Sequence, residues 1–293
     1  MKQRVTIRNI LNGTILEFKR RDIKEPRLNA EILLSWVLKE PRSYLYLKSD
    51  YVPPPFKVSL LKKLVKKRSS HIPLSYLMGE QDFMGLKFRV TPAVYIPRPE
   101  TEILVEKAVK ILQEKPIFRD ENIIIDLGTG CGNISISLAK QLNNFKLYAV
   151  EISRDALRIA YQNARRHKVE RKINFLWGDL FSPLRKMNLK EKVRLIISNP
   201  PYIPGIEFKK LPLEVKKEPS IALDGGEDGL KFYRRIIRGA PYFLGKEGIL
   251  ALEIGYNQAK RIEELIITQS ELKSPEFVED YGGIQRVIIT KRR

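Results

Sequence analysis

The residues best suited to chemistry are Ser198-Asn199-Pro200-Pro201-Tyr202, directly after the apolar run Leu195-Ile196-Ile197. Two prolines remove two backbone donors and fix φ twice, which makes a stiff corner where a strand ends. The corner presents two acceptors, the side-chain carbonyl of Asn199 and the backbone carbonyl of Pro200, beside the flat ring of Tyr202. That set suits a planar NH2 group: each carbonyl takes one hydrogen while the ring packs against the plane. The nitrogen of an amide or aromatic amine is a poor nucleophile because its lone pair is delocalised. Hydrogen bonds that strengthen as this nitrogen pyramidalises favour the transition state over the ground state. A rigid strand-to-loop turn is the lesser reading of the segment taken alone.

A second set of residues points to a cofactor. Asp126-Leu127-Gly128-Thr129-Gly130-Cys131-Gly132-Asn133 follows an apolar run and opens a helical pattern. Glycines there allow a tight turn and close approach of backbone to a ligand. The spacing is G-x-G-x-G, which departs from the G-x-G-x-x-G of dinucleotide sites. Glu151 ends the next apolar run, 19 residues after Gly132. An acid at that place suits the two hydroxyls of a ribose. Gly178-Asp179-Leu180 follows the third run, where Asp179 suits an adenine amino group and Leu180 suits a cover for the ring. Together these residues suit a nucleoside cofactor, while each alone reads as an ordinary corner or loop.

The elements that must position these groups alternate strand and helix from about residue 98. Pro99-Glu100-Thr101-Glu102 is a good helix start, with an early proline and acids in the first turn. Strands are predicted at 122–126, 146–151, 172–176, 193–198, 248–254 and 285–290. Helices are predicted near 132–142, 154–168, 229–239 and 257–268. Such alternation makes a doubly wound α/β sheet with helices on both faces. Residues 1 to about 80 read as helical instead. Leu28, Ile32, Leu33, Trp36 and Val37 recur at helical spacing after Pro26, and Trp36 reads as core. Leu60, Leu61, Leu64 and Val65 form a second apolar face, with Lys62, Lys63, Lys66, Lys67 and Arg68 on a solvated one. Between the two parts, Phe83, Leu86, Phe88 and Val90 around Gly85 predict a hairpin. The expected organisation is a helical domain at 1–80, a hairpin linker at 81–97 and the α/β domain at 98–293.

Composition narrows the class. The 293 residues are 43% hydrophobic and 30% charged, which excludes wholesale disorder. One cysteine excludes an intramolecular disulfide, and with two histidines it argues against a zinc site; no metal is expected. Cys131 lacks a neighbouring base or second thiol and reads as a small packing residue. Trp177 reads as core rather than as part of a pocket. Apolar runs are too short to span a bilayer, and Met1-Lys2-Gln3-Arg4 leads into no apolar signal core, so a cytoplasmic protein is expected; a monomer is the default expectation, on no sequence signal of its own. The net charge is +20, and residues 1–92 carry +11 of it. A basic surface attracts acidic partners and binds nucleic acid non-specifically, but solubility accounts for it as well.

With these residues in hand, the sequence resembles the class I S-adenosylmethionine-dependent methyltransferases, and more closely the HemK/PrmC family of release-factor glutamine N5-methyltransferases. The likeness spans nearly the whole chain. It rests on the glycine turn, Glu151 and Asn199-Pro200-Pro201-Tyr202. It is narrowed by Ile96-Pro97-Arg98-Pro99-Glu100-Thr101-Glu102 and by Glu218-Pro219, Ala222-Leu223, Gly225-Gly226 and Asp228-Gly229-Leu230. The resemblance implies a Rossmann-like, seven-stranded sheet whose last strand is antiparallel, beside a small helical domain. It implies S-adenosylmethionine as cofactor. Gly128, Thr129, Gly130, Cys131 and Gly132 would border its methionine end, Glu151 its ribose, Asp179 and Leu180 its adenine, with Asn199 also in contact. Asn199, Pro200, Pro201 and Tyr202 would bind the substrate amide, and Asn199, Pro200 and Tyr202 would act in catalysis. The amide would belong to the Gly-Gly-Gln tripeptide of class 1 peptide chain release factors.

Several alternatives stay open at this point. The Asn-Pro-Pro-Tyr corner also serves exocyclic amines of DNA or RNA, and a ribosomal-protein glutamine is a further acceptor. A nicotinamide oxidoreductase is disfavoured by the glycine spacing. A non-catalytic RNA-binding module needs neither corner. Arg98 reads as an anchor for the linker, and Glu253, ending the strand Leu250-Ala251-Leu252, is open between function and chance.

Overall fold

Ile123-Ile124-Ile125 are β-branched and flanked by polar residues, and they form the centre of a strand buried on both faces. That strand sits in the middle of a sheet in a computed structural model that describes residues 5–114 and 122–293. Met1-Lys2-Gln3-Arg4, read above for a signal sequence, lies outside the described residues. By internal contacts the chain forms two units. One runs up to Glu80 and includes Pro212–Lys217; the other comprises Gln81–Leu211 and Glu218–Arg293.

The first unit is helical: α1 (Ile7–Arg20), α2 (Pro26–Leu38), α3 (Arg42–Leu47), α4 (Pro55–Arg68) and α5 (Leu74–Met78). Thr6 caps α1 and Pro26 starts α2, each removing an orphan donor of a first turn. Ile7, Leu11, Phe18, Leu33, Leu34, Leu61 and Leu64 pack together as its core. Two expectations change here. Trp36 is exposed, because Val37 and Leu38 take the inward positions of that turn. Arg68 is buried, not solvated: its guanidinium meets Asn29 Oδ1 at 2.7 Å and Glu214 at 2.5 Å, which supply the partners that a buried charge requires.

The second unit opens within a hairpin whose first residue, Glu80, ends the first unit: β1 (Glu80–Phe83) and β2 (Leu86–Arg89), turned at Gly85. Helix α6 (Pro99–Glu114) follows. Then come β3 (Asn122–Leu127), α7 (Asn133–Gln141), β4 (Phe145–Glu151), α8 (Arg154–Arg166), β5 (Ile173–Trp177) and β6 (Val193–Ser198). The chain ends with α9 (Lys231–Phe243), β7 (Leu244–Glu253), α10 (Ala259–Ile267), β8 (Glu276–Glu279) and β9 (Gln285–Lys291). The seven-stranded sheet has the order β5-β4-β3-β6-β7-β9-β8. Strands β5, β4, β3, β6 and β7 are parallel, and β9 runs antiparallel to β7. Chain direction across the sheet reverses between β3 and β6, so the carboxyl ends of these two neighbours flank a switch point where open α/β sheets bind ligands. Strand β8 is the element that periodicity did not indicate. Glu-Phe-Val-Glu is a four-residue edge strand, too short to leave a pattern.

Candidate active site at the carboxyl ends of β3, β4 and β6

The glycine turn leaves β3 in a left-handed path: φ is +74° at Gly128, +58° at Gly130 and +86° at Gly132. A Cβ at Gly128 or Gly130 would meet nothing within 4 Å, so open space lies against this backbone. At Gly132 a Cβ would strike Ile136 of α7 at 2.9 Å and Ala160 of α8 at 3.2 Å, so the turn packs closely against both helices. The N–H groups of Gly128 and Thr129 both donate to Val150 O, at 2.9 and 3.0 Å, and pin the turn to β4. Buried Asp126 accepts through Oδ2 from Thr129 Oγ1 at 2.6 Å and Ser135 Oγ at 2.5 Å. Its Oδ1 is buried with no partner, and burial pushes the carboxyl up to about 6.

Glu151 closes the other side. Its two carboxylate oxygens accept from Gly130 N–H and Ser153 N–H, each at 2.9 Å. Each oxygen keeps a further lone pair for a ligand hydroxyl. Burial raises its pKa, against the pull of these amide donors. Cys131 is buried and its thiol is pushed up to about 12, so it stays a neutral packing group, as read from the sequence. Open backbone, strand-end acid and a leftover buried acceptor together fit a polyhydroxylated, amine-bearing nucleoside.

The third cofactor segment departs from expectation in its surroundings. Asp179 is half-exposed and ion-paired to Arg235 of α9 at 2.6 Å. Leu180 has φ +47° and packs on the sheet core. Both border a cavity of about 1400 Å3 whose other wall is the basic face of α9, with Arg234, Arg235 and Arg238. That cavity takes in neither the glycine turn nor Asn199. Trp177 is exposed rather than core: its indole N–H donates to Ile152 O at 2.9 Å, and Arg154 lies 3.9 Å over the ring. It pairs in register with Glu151, which puts an aromatic face beside the strand-end acid.

Asn199 follows β6, which pairs with β3 as far as Asp126↔Ile197. Its Nδ2 donates to Thr101 Oγ1 at 3.1 Å, in the first turn of α6. Glu253 ends the adjacent β7, where Leu252 lies opposite Ser198 of β6. It is fully buried, and burial first, then Glu100, pushes its pKa up to about 7, with Thr101, Arg286 and Asn199 pulling against them. Tyr202 is largely enclosed, and burial with the nearby Tyr95 and Glu253 keeps its phenol well above the usual range.

The two narrowing segments turn out to brace this corner. Glu218 accepts from Ile96 N–H at 3.0 Å and pairs with Arg98, whose guanidinium lies 4.8 Å over the Tyr95 ring. Gly225 and Gly229 pack on the Tyr202 backbone: a Cβ on either would come within 2.8 Å of it. Gln258 donates to Tyr202 O at 2.9 Å. Sequence reasoning did not single out Thr101, Arg235 or Gln258. Thr101 lies inside a quoted segment, but its partner Asn199 follows β6.

A parallel sheet with an antiparallel final pair, a glycine turn and a strand-end acid at its switch point define a class I methyltransferase. Residues 100–213 match the Methyltransferase small domain and residues 9–79 match the PrmC N-terminal domain. A release factor glutamine methyltransferase of Moorella thermoacetica is 36% identical over 289 residues, 99% of each chain. Another, of Aquifex aeolicus, is 36% identical over 278 residues, 95% of each chain. The chain belongs to the release factor glutamine methyltransferase family. Among solved structures, the hMettl16 catalytic domain in complex with MAT2A 3'UTR hairpin 6 shares the fold, with TM-score 0.51 and 16% identity over 80% of this chain and 81% of that one.

Proposed function

We propose that the chain transfers the methyl group of S-adenosylmethionine to N5 of the glutamine in the Gly-Gly-Gln tripeptide of class 1 release factors. The observation that carries this reading is the acceptor corner at the end of β6, beside the glycine turn of its neighbour β3, in a chain of this family. Gly128, Thr129, Gly130, Cys131 and Gly132 border the methionine end, Cys131 through its backbone. Glu151 takes the ribose, and Asp179 and Leu180 the adenine.

The cofactor, when bound, supplies a methyl group on a sulfonium that leaves as a neutral thioether. The chain's own residues orient and polarise the acceptor. Asn199 Oδ1 and Pro200 O each accept one N–H of the glutamine amide, and Tyr202 packs on its plane, with Pro201 stiffening the bend. Both bonds strengthen as the nitrogen pyramidalises and gains positive charge, which favours the transition state. Holding the nitrogen in line with the methyl removes the entropy of a bimolecular encounter. One N–H proton then leaves to water.

Residues 1–80 serve as the substrate-recognition domain, 81–97 as the hairpin linker and 98–293 as the methyltransferase domain, in a cytoplasmic monomer. Among the described residues, no helix is long and apolar enough to cross a membrane. The test is transfer of labelled methyl with release factor, its Gln→Ala variant in Gly-Gly-Gln, and total nucleic acid as competing acceptors. Label on intact release factor alone supports the proposal. Label on nucleic acid moves the enzyme to the amine-methylating branch.

A further inference from the structure

The four arginines that line the cavity beside α9 are not alike. Arg234 is held by both carboxylate oxygens of Asp228, at 3.0 and 2.5 Å, and Arg235 by Asp179 at 2.6 Å. Arg185 and Arg238 have no carboxylate partner among the described residues. Lys231 joins them, with Glu227 the remaining acid of the lining to oppose the three. Lys231, Arg234, Arg235, Arg238 and Tyr242 recur at helical spacing, so one face of α9 carries them all. The floor is aromatic. Phe181 stacks on Phe243 with ring centroids 4.9 Å apart. A Cβ on Gly239 would lie 2.6 Å from the Phe181 ring, so the glycine lets helix and ring meet.

The cofactor does not account for these cations. The glycine turn, Glu151 and Asn199 all lie outside the cavity. S-adenosylmethionine has a single carboxylate, at its methionine end, which the reading above sets at the glycine turn. Its adenine end, at Asp179 and Leu180, has no anion to offer Arg185 or Arg238. The cavity borders the acceptor corner as well, through residues 225–229. Gly226, Glu227 and Asp228 line the cavity, while a Cβ on Gly225 or Gly229 would come within 2.8 Å of the Tyr202 backbone. Lys231 N–H donates to Gly225 O at 3.0 Å and Gly205 N–H to Gly226 O at 2.9 Å, which fixes this shared wall. A protein that seats a glutamine at Tyr202 therefore reaches the cavity on crossing one loop.

We propose that this cavity docks a segment of the protein substrate adjacent to the glutamine, pairing its acidic side chains with Arg185 and Arg238 and laying an apolar one on the aromatic floor. The inference rests on the reading of the chain as a protein-glutamine methyltransferase. The volume, about 1400 Å3, exceeds the roughly 300–1000 Å3 of a site for one small molecule, so a run of residues fits. Charge favours a peptide over a nucleic-acid strand. Phosphates follow one another along a strand and would meet Asp179, Glu227 and Asp228 as well as the arginines. A peptide places single carboxylates at the two open guanidiniums, in the forked geometry that arginine provides.

The test measures kcat and KM for intact release factor, its binding by calorimetry, and S-adenosylmethionine affinity. The proteins are wild type, Arg185→Glu, Arg238→Glu, Arg238→Gln and Lys140→Glu, the last at an exposed cation of α7 outside the cavity. Both arginine reversals should raise KM by about tenfold, since a like charge then faces the substrate carboxylate, with kcat within about twofold. Arg238→Gln only removes the charge and should raise KM about threefold. Lys140→Glu changes the net charge equally and should stay near wild type, as should every S-adenosylmethionine affinity. Equal KM values for Lys140→Glu and the arginine reversals overturn the inference, because net charge then accounts for them. Loss of S-adenosylmethionine affinity in the arginine variants overturns it and gives the cavity to the cofactor. Total RNA that competes with release factor in wild type but not in Arg238→Glu overturns it in favour of a nucleic-acid strand. If wild type methylates no release factor, the proposed function fails by itself. Calorimetric binding of release factor that Arg238→Glu weakens then still supports the docking, and absent or unweakened binding overturns it.

Discussion

Arg235 of α9 holds the carboxylate of Asp179, at 2.6 Å, in the loop that follows β5. Both side chains are nearly half-exposed, so the pair itself adds little to stability. Its consequence is orientation, because Asp179 is the group proposed for the adenine amine. Asp179→Ala should weaken S-adenosylmethionine binding by about tenfold, the loss of one hydrogen bond to a charged acceptor. Arg235→Ala keeps the acceptor but frees it, so a smaller loss of about threefold is expected. Calorimetry reads both. Unchanged affinity in Asp179→Ala would place the adenine against other residues.

Glu253 makes stability depend on pH in an unusual direction. Its folded pKa, up to about 7 from 4.5, means that the folded state holds its proton longer than the unfolded chain. Stability from this group is therefore full below about 4.5 and is lost as pH rises toward 7. The loss is at most about 3 kcal/mol by linkage. Glu253→Gln cannot titrate, so its melting temperature should gain on wild type between pH 5 and 7.5. Melting curves that stay parallel across that range would show that the carboxyl is already ionised at pH 5.

Much of this arrangement was readable from residue order, and the exceptions share a cause. The parallel strands are short apolar runs bounded by polar residues, and the site motifs follow them directly, so β3, β4, β6 and their corners needed no tertiary information. Trp36, Trp177 and Arg68 were misplaced because burial depends on what packs across from a side chain. Trp177 is held out by a bond to Ile152 and by Arg154, while Arg68 is drawn in by Asn29 and Glu214. Edge strand β8 borrows its shape from pairing with β9. Glu253 stayed open because its burial, which raises its pKa, is set by tertiary packing.

Gly225 tests the brace behind Tyr202. Its Cα lies so near that corner that a Cβ would sit 2.7 Å from the Tyr202 carbonyl carbon and 2.8 Å from Gly229 Cα. All the obstructing atoms are backbone, which yields only if the corner moves. Gly225→Ala should destabilise the protein by about 1–3 kcal/mol, the cost of overpacking. It should also depress kcat more than it weakens cofactor binding, because the displaced atoms belong to the substrate side. Urea unfolding and single-turnover rates measure the two effects. A normal rate in a destabilised variant would separate the position of Tyr202 from catalysis.

The pair Arg98 and Glu218 should respond asymmetrically to substitution. Glu218 is the buried partner and Arg98 the partly exposed one. Arg98→Ala withdraws the guanidinium and leaves a carboxylate in the interior, where a lost counter-charge costs about 3 kcal/mol. Arg98→Lys returns the charge but loses the planar contact over the Tyr95 ring, so rescue should be partial. Glu218→Gln is milder, about 1 kcal/mol, because its neutral carbonyl still accepts from Ile96 N–H. Urea unfolding midpoints should therefore rank wild type above Glu218→Gln, then Arg98→Lys, then Arg98→Ala. A lower midpoint for Glu218→Gln than for Arg98→Ala would mean that the carboxylate charge, not the covering guanidinium, secures the segment entering α6.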